Sequence, residues 1–581
     1  MLRKGPAALS AALAALGGDE HAILLALAVV IGAAAGAAVI LFYKTIDLVQ
    51  DAVLRGATHA PVPDVVLIPA VVAAGLAGCR ALIRWGAHGS TGENIPDVMY
   101  RVTVKGGVIP AVPVLVKTAA AALVIGTGGS VGAEGPVVVL GAAAASRIGR
   151  WLRASPNRLR TLVGCGAAAG ISAAFNAPIA GVIFGVEKIL GAAGGMALGP
   201  FVVASILAAT VGRTAFGDQP VIALPAEFGI RSGWELLLYV GLGLVTGVVA
   251  VLYARGVWKA QDAFPRLRAP WVQVSAGALL LGGLDVAFRA DLWGHGHESL
   301  NVGIVAARTA PFLLALALAK LVATAATFGA GGTGGVFTPA LFIGGTLGGA
   351  CGVTAAALLP SWHLAPGAMA LVGMAGLVAG ATHAPLTAIM MVFEMTRDYG
   401  LILPLMLTSV LAYVIARRLH PESIYTEWLR RRGVSLSHGA DATLLARITV
   451  AECFNREPVT VREDARVPTI LAVTRASRQT EFPVVSAEGR LAGMLSREAV
   501  REALANGDHL APVLVAADLI RPQAERVTPE DSLLTALRRL GAQDVDSLPV
   551  VDTADGERLL GIVSRQDVMA AYERQLTAEG H

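Results

Sequence analysis

Charged residues are scarce in this sequence. They account for 15% of the 581 residues, while 55% of the residues are apolar, and a soluble protein carries about 25% charged residues. This shortage excludes an ordinary soluble protein and indicates a membrane protein. The net charge of +4 is small, so the composition gives no indication of a nucleic-acid partner.

Cysteine is scarce as well, and several enzyme motifs are missing. The four cysteines lie far apart and form no CxxC pair, which argues against a zinc site or a disulfide framework. No GxxxxGKS or GxxxxGKT motif occurs, which argues against an ATP-driven pump. An intramembrane enzyme would need a nucleophile with a base, or a metal cluster, and His383 has no second ligand spaced with it. We therefore expect neither a catalytic residue nor a metal site.

Apolar stretches fill roughly the first 415 residues, and the remainder reads like a soluble protein. The stretches 24–42 and 236–253 approach the ~20 residues needed to cross a bilayer. Others, such as 108–116 and 181–186, are shorter and are interrupted by Gly or Pro. In lipid, irregular backbone persists only where protein or a water-filled cavity covers it. The pattern predicts a large helical bundle with half-helices, which is typical of transporters and channels.

Two glycine-rich phrases repeat within the apolar part. Residues 126–136 read GTGGSVGAEGP, and residues 329–339 read GAGGTGGVFTP. Each copy also has a lysine nineteen residues before its closing proline and, downstream, an A-P pair with a glutamate nine residues after the proline (Lys117, Pro178 and Glu187; Lys320, Pro385 and Glu394). These aligned features predict an internal duplication. Repeats in transporters are often inverted, with the binding site between them.

The repeated phrase reads as the start of a helix. Proline favours the first helical turn, and glycines let backbone approach a ligand closely. The free N–H groups and partial positive charge of a first turn bind anions, so two such starts could form an anion site without a full positive charge. Binding would stay weak enough for release, which conduction requires. The alternative is that the glycines only allow tight helix packing.

The two copies differ at one position, which is Glu134 in the first and Phe337 in the second. An ionisable residue in a membrane segment is a functional candidate, and a carboxylate at an anion-binding helix start is a tethered anion. An ionised Glu134 would occupy the anion site and block it, and a protonated Glu134 would leave the site. Proton binding and anion passage would thus be linked at one residue. Phe337 offers its backbone N–H and a bulky wall.

Taken with Lys117, AAFNAP at 173–178 and GVFTP at 335–339, the GxxxGxEGP phrase resembles the CLC family of chloride channels and proton-coupled chloride exchangers. The resemblance covers about residues 20 to 430. It implies an all-α polytopic membrane domain with inverted repeats and half-helices, assembled as a homodimer with one pore in each subunit. It also implies that Glu134 is the gate and that the anion is bound by Gly135, Val336, Phe337 and Tyr425. Tyr425 could instead be an interfacial aromatic residue.

Some positions depart from the family pattern. Ala133 replaces the basic residue of the family's GREGP, and the serine of its GSGIP aligns with Glu93. A second carboxylate there would repel the anion unless it were protonated or turned away, and Ser90 could substitute through a shifted loop. Lys188 stands where exchangers carry an inner proton-accepting glutamate. It could relay protons together with Glu134, or it could snorkel to the interface.

The last part of the chain also repeats. Residues 482–500 parallel residues 548–568, each with a strand, a polar turn, a strand and a helix start. Units of about 60 residues are too small to be very stable singly, so they should pair. They resemble tandem CBS domains, the α/β regulatory pair of many CLC proteins. The resemblance implies an adenine nucleotide held by Ser564 and Asp567, although Asp567 could simply be a helix N-terminal carboxylate. No cofactor is expected to be required for transport.

Five arginines in 416–433 predict that this segment, and the CBS pair after it, are cytoplasmic. The predicted divisions are a cytoplasmic N-terminal segment at 1–22, a membrane domain at 23–433 with halves at about 23–215 and 233–420, a linker at 434–446, and CBS units at 447–507 and 513–577. The opening residues could imitate a signal peptide. Their weakly apolar alanines and the GGDEH that follows favour an amphipathic helix.

The sequence therefore predicts a multi-pass protein of the cell membrane rather than an enzyme. Its predicted function is transport of chloride or a similar small anion through a pore gated by a protonatable glutamate, coupled to proton countertransport. The alternative is a passive voltage- or pH-gated chloride channel. The expected partners are the anion, the proton, membrane lipid and a second copy of the chain.

Overall fold

The computed structural model describes residues 20–59, 62–86, 94–103, 105–152, 154–191, 198–222, 228–229, 232–267, 269–288, 291–294, 307–431, 445–477, 479–505, 514–520, 525–543 and 545–578. These residues divide into two compact units, with the boundary between Trp428 and Leu429. The helix predicted within 1–22 and the linker predicted at 434–446 lie almost wholly outside the described residues.

The first unit is helical. Its helices are α1 Glu20–His59, α2 Asp64–Gly86, α3 Ile95–Thr103, α4 Ala111–Gly126, α5 Glu134–Trp151, α6 Pro156–Phe175, α7 Pro178–Phe184, α8 Leu198–Phe216, α9 Glu235–Ala263, α10 Pro270–Ala287, α11 Ala310–Gly329, α12 Phe337–Leu358, α13 Pro366–Thr382, α14 Pro385–Thr396, α15 Ile402–Leu419 and, across the unit boundary, α16 Thr426–Arg430. A π-helical turn, Gly185–Leu190, continues α7.

The helices are of two kinds. Among the described residues, eight helices are long and apolar enough to cross a membrane, and α1 and α9 contain the predicted spans 24–42 and 236–253. In contrast, α3, α7 and α14 have 9, 7 and 12 residues, too few to cross a bilayer. The predicted all-α membrane fold with half-helices is confirmed.

The two A-P phrases form the same turn. Helices α6 and α13 are followed by Asn176 and His383, both in the left-handed region with φ of 51° and 54°. One alanine follows, and Pro178 or Pro385 then begins the short helix α7 or α14. Asn adopts the left-handed conformation more readily than most residues, and Pro suits the first helical position. The duplication predicted from the sequence is therefore also a duplication of structure.

Equivalent residues of the two glycine phrases face each other. Gly132 donates a hydrogen bond to the carbonyl of Gly335 at 2.8 Å, and Gly335 donates back to Gly132 at 2.7 Å. The pair is antiparallel. Reciprocal pairing of equivalent residues indicates a local two-fold axis between the two repeats at this point, as the predicted inverted repeats would have.

The second unit contains two small sheets with helices around them. The first sheet has the order β1 Val461–Arg462, β2 Glu481–Val485 and β3 Leu491–Ser496, and the second pairs β4 Ser547–Val551 with β5 Leu559–Ser564. The helices are α17 Val467–Ala476, α18 Arg497–Ala505, α19 Ala516–Leu519, α20 Leu533–Ala542 and α21 Arg565–Ala578.

Each sheet of the second unit has its own apolar core. The two halves are joined by a backbone bond from Leu491 to Glu557 at 2.8 Å and by an ion pair between Arg490 and Glu557 at 3.0 Å. They differ in one respect, because the first strand of the second half is reduced to a single parallel bridge between Val527 and Val550. The predicted α/β character of this region is confirmed.

Candidate functional site

The starts of α5 and α12 meet inside the first unit. Each helix begins directly after a glycine phrase, α5 at Glu134 and α12 at Phe337. The antiparallel pair of Gly132 and Gly335 holds the two phrases together. As a result, the first turn of one repeat lies beside the first turn of the other. This is the arrangement that the sequence predicted for an anion site.

The side chain of Glu134 crosses from one repeat to the other. It is fully buried, and its carboxylate accepts hydrogen bonds from the backbone N–H of Phe337 and, at 2.8 Å, from the hydroxyl of Thr338. The carboxylate of the first repeat therefore lies at the free N–H groups of the second repeat's helix. An anion bound at that helix start would use the same donors.

The glycines of the phrases make room for this carboxylate. A side chain added at Gly132 or at Gly335 would overlap the carboxylate of Glu134. Elsewhere glycine serves helix packing, since a side chain at Gly141 in α5 would overlap the backbone of Gly166 in α6. Glycine thus makes room for a carboxylate at some positions and for close helix packing at others.

The start of α12 is supported by aromatic residues. Tyr253 of α9 donates a hydrogen bond from its hydroxyl to the carbonyl of Val336 at 2.7 Å, and it is completely buried. The ring of Phe337 lies 6.0 Å from the ring of Phe175. The sequence analysis did not single out Tyr253 or Thr338. The available signals were a tyrosine within an apolar span and a threonine at a helix start, where such side chains commonly bond.

A cavity of about 420 Å³ lies next to the paired helix starts. Gly135, Val336 and Tyr425 line it, so three of the four predicted anion-binding residues share one cavity, and Phe337 donates directly to Glu134. Tyr425 is 3% exposed, and its buried hydroxyl has no hydrogen-bond partner among the residues that the structure describes. An aromatic residue at a lipid interface would instead be exposed.

The segment aligned with the family's serine motif is only partly described. Ser90 and Glu93 lie outside the described residues. The next residue, Asn94, lines the cavity, and its carbonyl accepts the first backbone bond of α3, from Asp97 at 2.9 Å. Asn94 was not predicted, although it stands within the aligned motif. Arg80 and Lys117 also line the cavity.

The two glutamates that mark the repeat cap each other's short helix. Glu394, at the end of α14, accepts from the backbone N–H groups of Ile179 and Ala180 at 3.1 and 2.7 Å. Glu187, after α7, accepts from the backbone N–H and the hydroxyl of Thr387 at 2.9 and 2.6 Å. The nine-residue spacing seen in the sequence thus places each glutamate where its carboxylate can bind the start of the other repeat's short helix.

Lys188 follows Glu187 in the π-helical turn and is half-buried. Within the described part of the chain, no hydrogen bond or ion pair joins its side chain to another residue. Among the described residues, no three His, Cys, Asp or Glu side chains lie close enough together to share a metal ion.

The predicted nucleotide-binding pair of the second unit forms a local cap. Asp567 accepts hydrogen bonds from the hydroxyl and the backbone N–H of Ser564 at 2.6 and 2.9 Å, and it donates its own N–H to the Ser564 hydroxyl. In the first half, Ser496 only accepts from the N–H of Ala499. The carboxylate is therefore present in one half of the pair.

Known proteins match both units. A protein family described as voltage gated chloride channel matches residues 74–417, and the CBS domain matches residues 450–506 and 515–574. A protein of Ralstonia nicotianae that carries the name "chloride channel protein ClcB-like" is 38% identical over 418 residues, which are 70% of this chain and 97% of that protein.

Two solved structures are similar to the fold. A slow cyanobacterial Cl⁻/H⁺ antiporter has a TM-score of 0.64 at 28% identity, covering 70% of this chain and 97% of the antiporter. A eukaryotic CLC transporter has a TM-score of 0.72 at 20% identity and covers 94% of this chain and 97% of its own, which is a likeness of fold alone. With its paired glycine phrases, inverted repeats and C-terminal CBS domains, this chain belongs to the CLC family of voltage-gated chloride channels and transporters.

Proposed function

We propose that this protein transports chloride or a similar small anion across a membrane, gated by Glu134 and coupled to proton countertransport. The observation that carries the proposal is the buried Glu134 carboxylate bound to the start of α12 by Phe337 and Thr338. Ionised, the carboxylate takes the donors that an anion needs. Protonated, it loses its charge and yields them to the anion. One residue then exchanges a proton for an anion at the same site.

The remaining groups suit transport rather than tight binding. The helix starts offer N–H groups and partial charges instead of a full positive charge, so an anion can leave as well as enter. The Tyr425 hydroxyl, which is buried and has no partner in the described part of the chain, is a donor available to an anion in the cavity. Val336 and Gly135 contribute backbone at the same wall.

A passive channel is the second candidate, and one observation favours it. Lys188 occupies the position of the inner glutamate found in exchangers, and a cationic ammonium cannot accept a further proton. Against this, the similar cyanobacterial protein is a Cl⁻/H⁺ antiporter, and the gate needs only a proton that reaches Glu134. We keep the exchanger as the main proposal.

Flux from purified protein in liposomes separates the two candidates. A chloride gradient is imposed, and chloride and proton movements are recorded together. Uphill proton movement driven by chloride, and lost in Glu134→Gln, is the result expected of an exchanger. Rapid chloride flux without proton movement at any pH would make the protein a channel.

Glu134→Gln also tests the gate itself. Glutamine imitates the protonated carboxyl, so chloride flux should lose most of its dependence on external pH. Glu235→Gln is a matched control, because Glu235 is a buried carboxylate in the first turn of α9 and bonds within its own turn, to the N–H of Ser232. The gate hypothesis fails if Glu134→Gln leaves the flux and its pH dependence unchanged.

We also infer a homodimer joined along α8, α7, α14 and α15. These helices expose apolar side chains (Ile179, Leu198, Val202, Ile206, Leu386, Leu403, Met406, Val410 and Val414). Helices α7 and α14 both begin within this group of helices, and the backbone is irregular where they begin. Lipid does not tolerate irregular backbone unless protein covers it. A second copy would cover both helix starts. Cross-linking between cysteines introduced at Leu403 in the two subunits tests this, and purely monomeric protein in lipid would contradict it.

The CBS pair is proposed to be cytoplasmic and to bind an adenine nucleotide at Ser564 and Asp567. Five arginines in 416–433 support this orientation, and the carboxylate at position 567 supports a ribose contact. Calorimetry with AMP tests the site. No heat of binding at millimolar AMP would remove it.

A further inference from the structure

The cavity beside the helix starts carries positive charge. Two cationic side chains, Arg80 of α2 and Lys117 of α4, line it, and among the described lining residues there is no carboxylate. The gate region has only helix-start donors and the Glu134 carboxyl. The full charges of this site are therefore on the cavity wall, away from the gate.

Arg80 is fixed on this wall by neutral partners. Its guanidinium donates to the side-chain oxygen of Gln273 at 2.8 Å and to the carbonyl of Ala330 at 3.0 Å. Gln273 is 9% exposed, and its amide donates in turn to the carbonyl of Leu267 at 2.8 Å. No carboxylate of the described residues forms an ion pair with Arg80. The bonds fix the orientation of the side chain and leave its charge uncompensated.

Such a charge has a definite effect on anions. Arg stays protonated in proteins, and a cavity with low-dielectric walls and charge of one sign focuses the field and raises the local concentration of counter-ions. Because the partners of Arg80 use one nitrogen of its guanidinium, further N–H donors remain for an anion.

We propose that Arg80 forms a second anion-binding site that captures small monovalent anions before they reach the gate at Glu134. Gln273 is the residue that positions Arg80. The inference rests on the proposed transport function for its role, but the binding itself does not require transport. This second site takes the same class of ion as the gate. It binds the ion by the charge of Arg80, whereas the gate binds the ion by the N–H donors of the helix starts.

The first test is binding. Crystals of the full-length protein soaked in bromide should give anomalous density beside Arg80, and that density should disappear in Arg80→Gln. Bromide beside Arg80 in protein that transports nothing would support the site and overturn the proposed function alone. No bromide beside Arg80 in wild type would overturn the site whatever the transport result.

The second test is kinetic and uses liposomes with chloride varied against gluconate. Arg80→Gln should raise the half-saturating chloride concentration about threefold to tenfold and leave the maximal rate within about twofold, because capture is lost and the gate is kept. Wild-type flux should decline as impermeant salt is added, because the salt screens the charge of Arg80. The decline should be weaker in Arg80→Gln, which lacks that charge. Arg80→Lys, which keeps the charge, should recover most of both effects.

Arg84→Gln is the matched control. Arg84 lies one turn further along α2, is exposed and is not part of the cavity lining. It should behave like wild type. Equal shifts in the Arg84 and Arg80 variants, or an unchanged half-saturation and salt dependence in Arg80→Gln, would overturn the capture site. Gln273→Leu should reproduce part of the Arg80 effect by releasing the guanidinium.

Discussion

A single carboxylate links the two halves of this protein at the residue scale. Glu134 and its partner Phe337 are 203 residues apart in the chain, and they hold equivalent positions in the two copies of one phrase. The second copy has no carboxylate at this position and supplies the backbone donor. The difference between the copies therefore lets one repeat supply a carboxylate and the other repeat supply the helix start that binds it.

Thr338 should tune how firmly the gate is closed. Its hydroxyl donates to the Glu134 carboxylate, and a hydrogen bond to a charged group contributes about 1.5–3 kcal/mol. Thr338→Val removes this bond and should weaken the closed state, so chloride flux at neutral pH should rise roughly 3–10-fold, less than the full bond would give. Flux from liposomes measures the effect.

The control for Thr338 is Thr346→Val in the same helix. Thr346 is also buried, and its hydroxyl bonds only to carbonyls of its own helix, those of Phe342 and Ile343. This variant should keep the wild-type rate. An equal rise in both variants, or no change in Thr338→Val, would contradict the assignment of Thr338 to the gate.

Sequence reasoning at this scale relied on comparing the two copies of the repeated phrase. Glu134 was identifiable because the second copy provided a comparison. Tyr253 and Arg80 were not identified, since each reaches its partner from another helix and no local spacing records such a contact. Thr338 was not identified either, although it lies in the second copy, because the sequence does not show that its partner is the Glu134 carboxylate of the first copy. Arg80 did leave a trace, as an ionisable residue within an apolar helix is a functional candidate.

The element scale is governed by short helices that exchange their caps. Glu187 follows α7 and caps α14, while Glu394 ends α14 and caps α7. A carboxylate at a helix start satisfies free N–H groups and favours the helix dipole. Because each half supplies the cap of the other, neither short helix is complete within its own repeat.

These caps lead to a crossed prediction. Glu394→Gln should speed hydrogen exchange at the N–H groups of Ile179 and Ala180 in α7, and Glu187→Gln should speed exchange at Thr387 in α14. In each variant, the free energy of local opening at these N–H groups should fall by about 1–2 kcal/mol. Hydrogen–deuterium exchange by mass spectrometry resolves the two helices. Faster exchange in the helix nearest in sequence, without the crossed pattern, would contradict the exchange of caps.

A second link joins the end of α14 to the first repeat. Arg397 donates to Asp218 at 2.6 Å, and Arg213 donates to Asn176 at 2.8 Å. The hydrogen bonds from Arg397 and Asn176 hold the pKa of Asp218 below its usual value. A depressed carboxyl pKa gives stability that is present above the unfolded value and is lost only as pH falls through the folded value. Pairing at Asp218 should therefore persist at the mildly acid pH at which we expect Glu134 to be protonated.

The sequence predicted the secondary-structure elements better than it predicted which of them contact each other. The spacing from proline to glutamate was visible in both copies, yet it was only a marker of duplication until the structure related it to the opposite helix. The local two-fold relation of the repeats likewise followed from the reciprocal bonds between Gly132 and Gly335, which no pattern of apolar residues could reveal.

At the scale of the whole molecule, the chain joins a CLC transport unit to a pair of CBS domains. The boundary falls between Trp428 and Leu429, and all described residues that line the cavity precede it. The last of the proposed anion ligands, Tyr425, lies directly before α16. The turn in which Ser423 and Thr426 bond to each other therefore belongs to the transport unit, and α16 must be kept for Tyr425 to hold its position.

A chain ending after residue 433 should consequently still transport chloride. It retains the paired helix starts, the cavity and α16, and it lacks the CBS pair, so its flux should stay within about threefold of the full-length rate while any response to AMP disappears. The measurement is liposome flux with and without AMP, on protein whose folding is verified by a single peak in size-exclusion chromatography. A chain ending after residue 424 is the stricter comparison, because it loses Tyr425 and α16 and should lose transport. Well-folded protein ending at 433 that carries no chloride would mean that the CBS pair takes part in conduction, and the division of labour argued from the two units would be wrong.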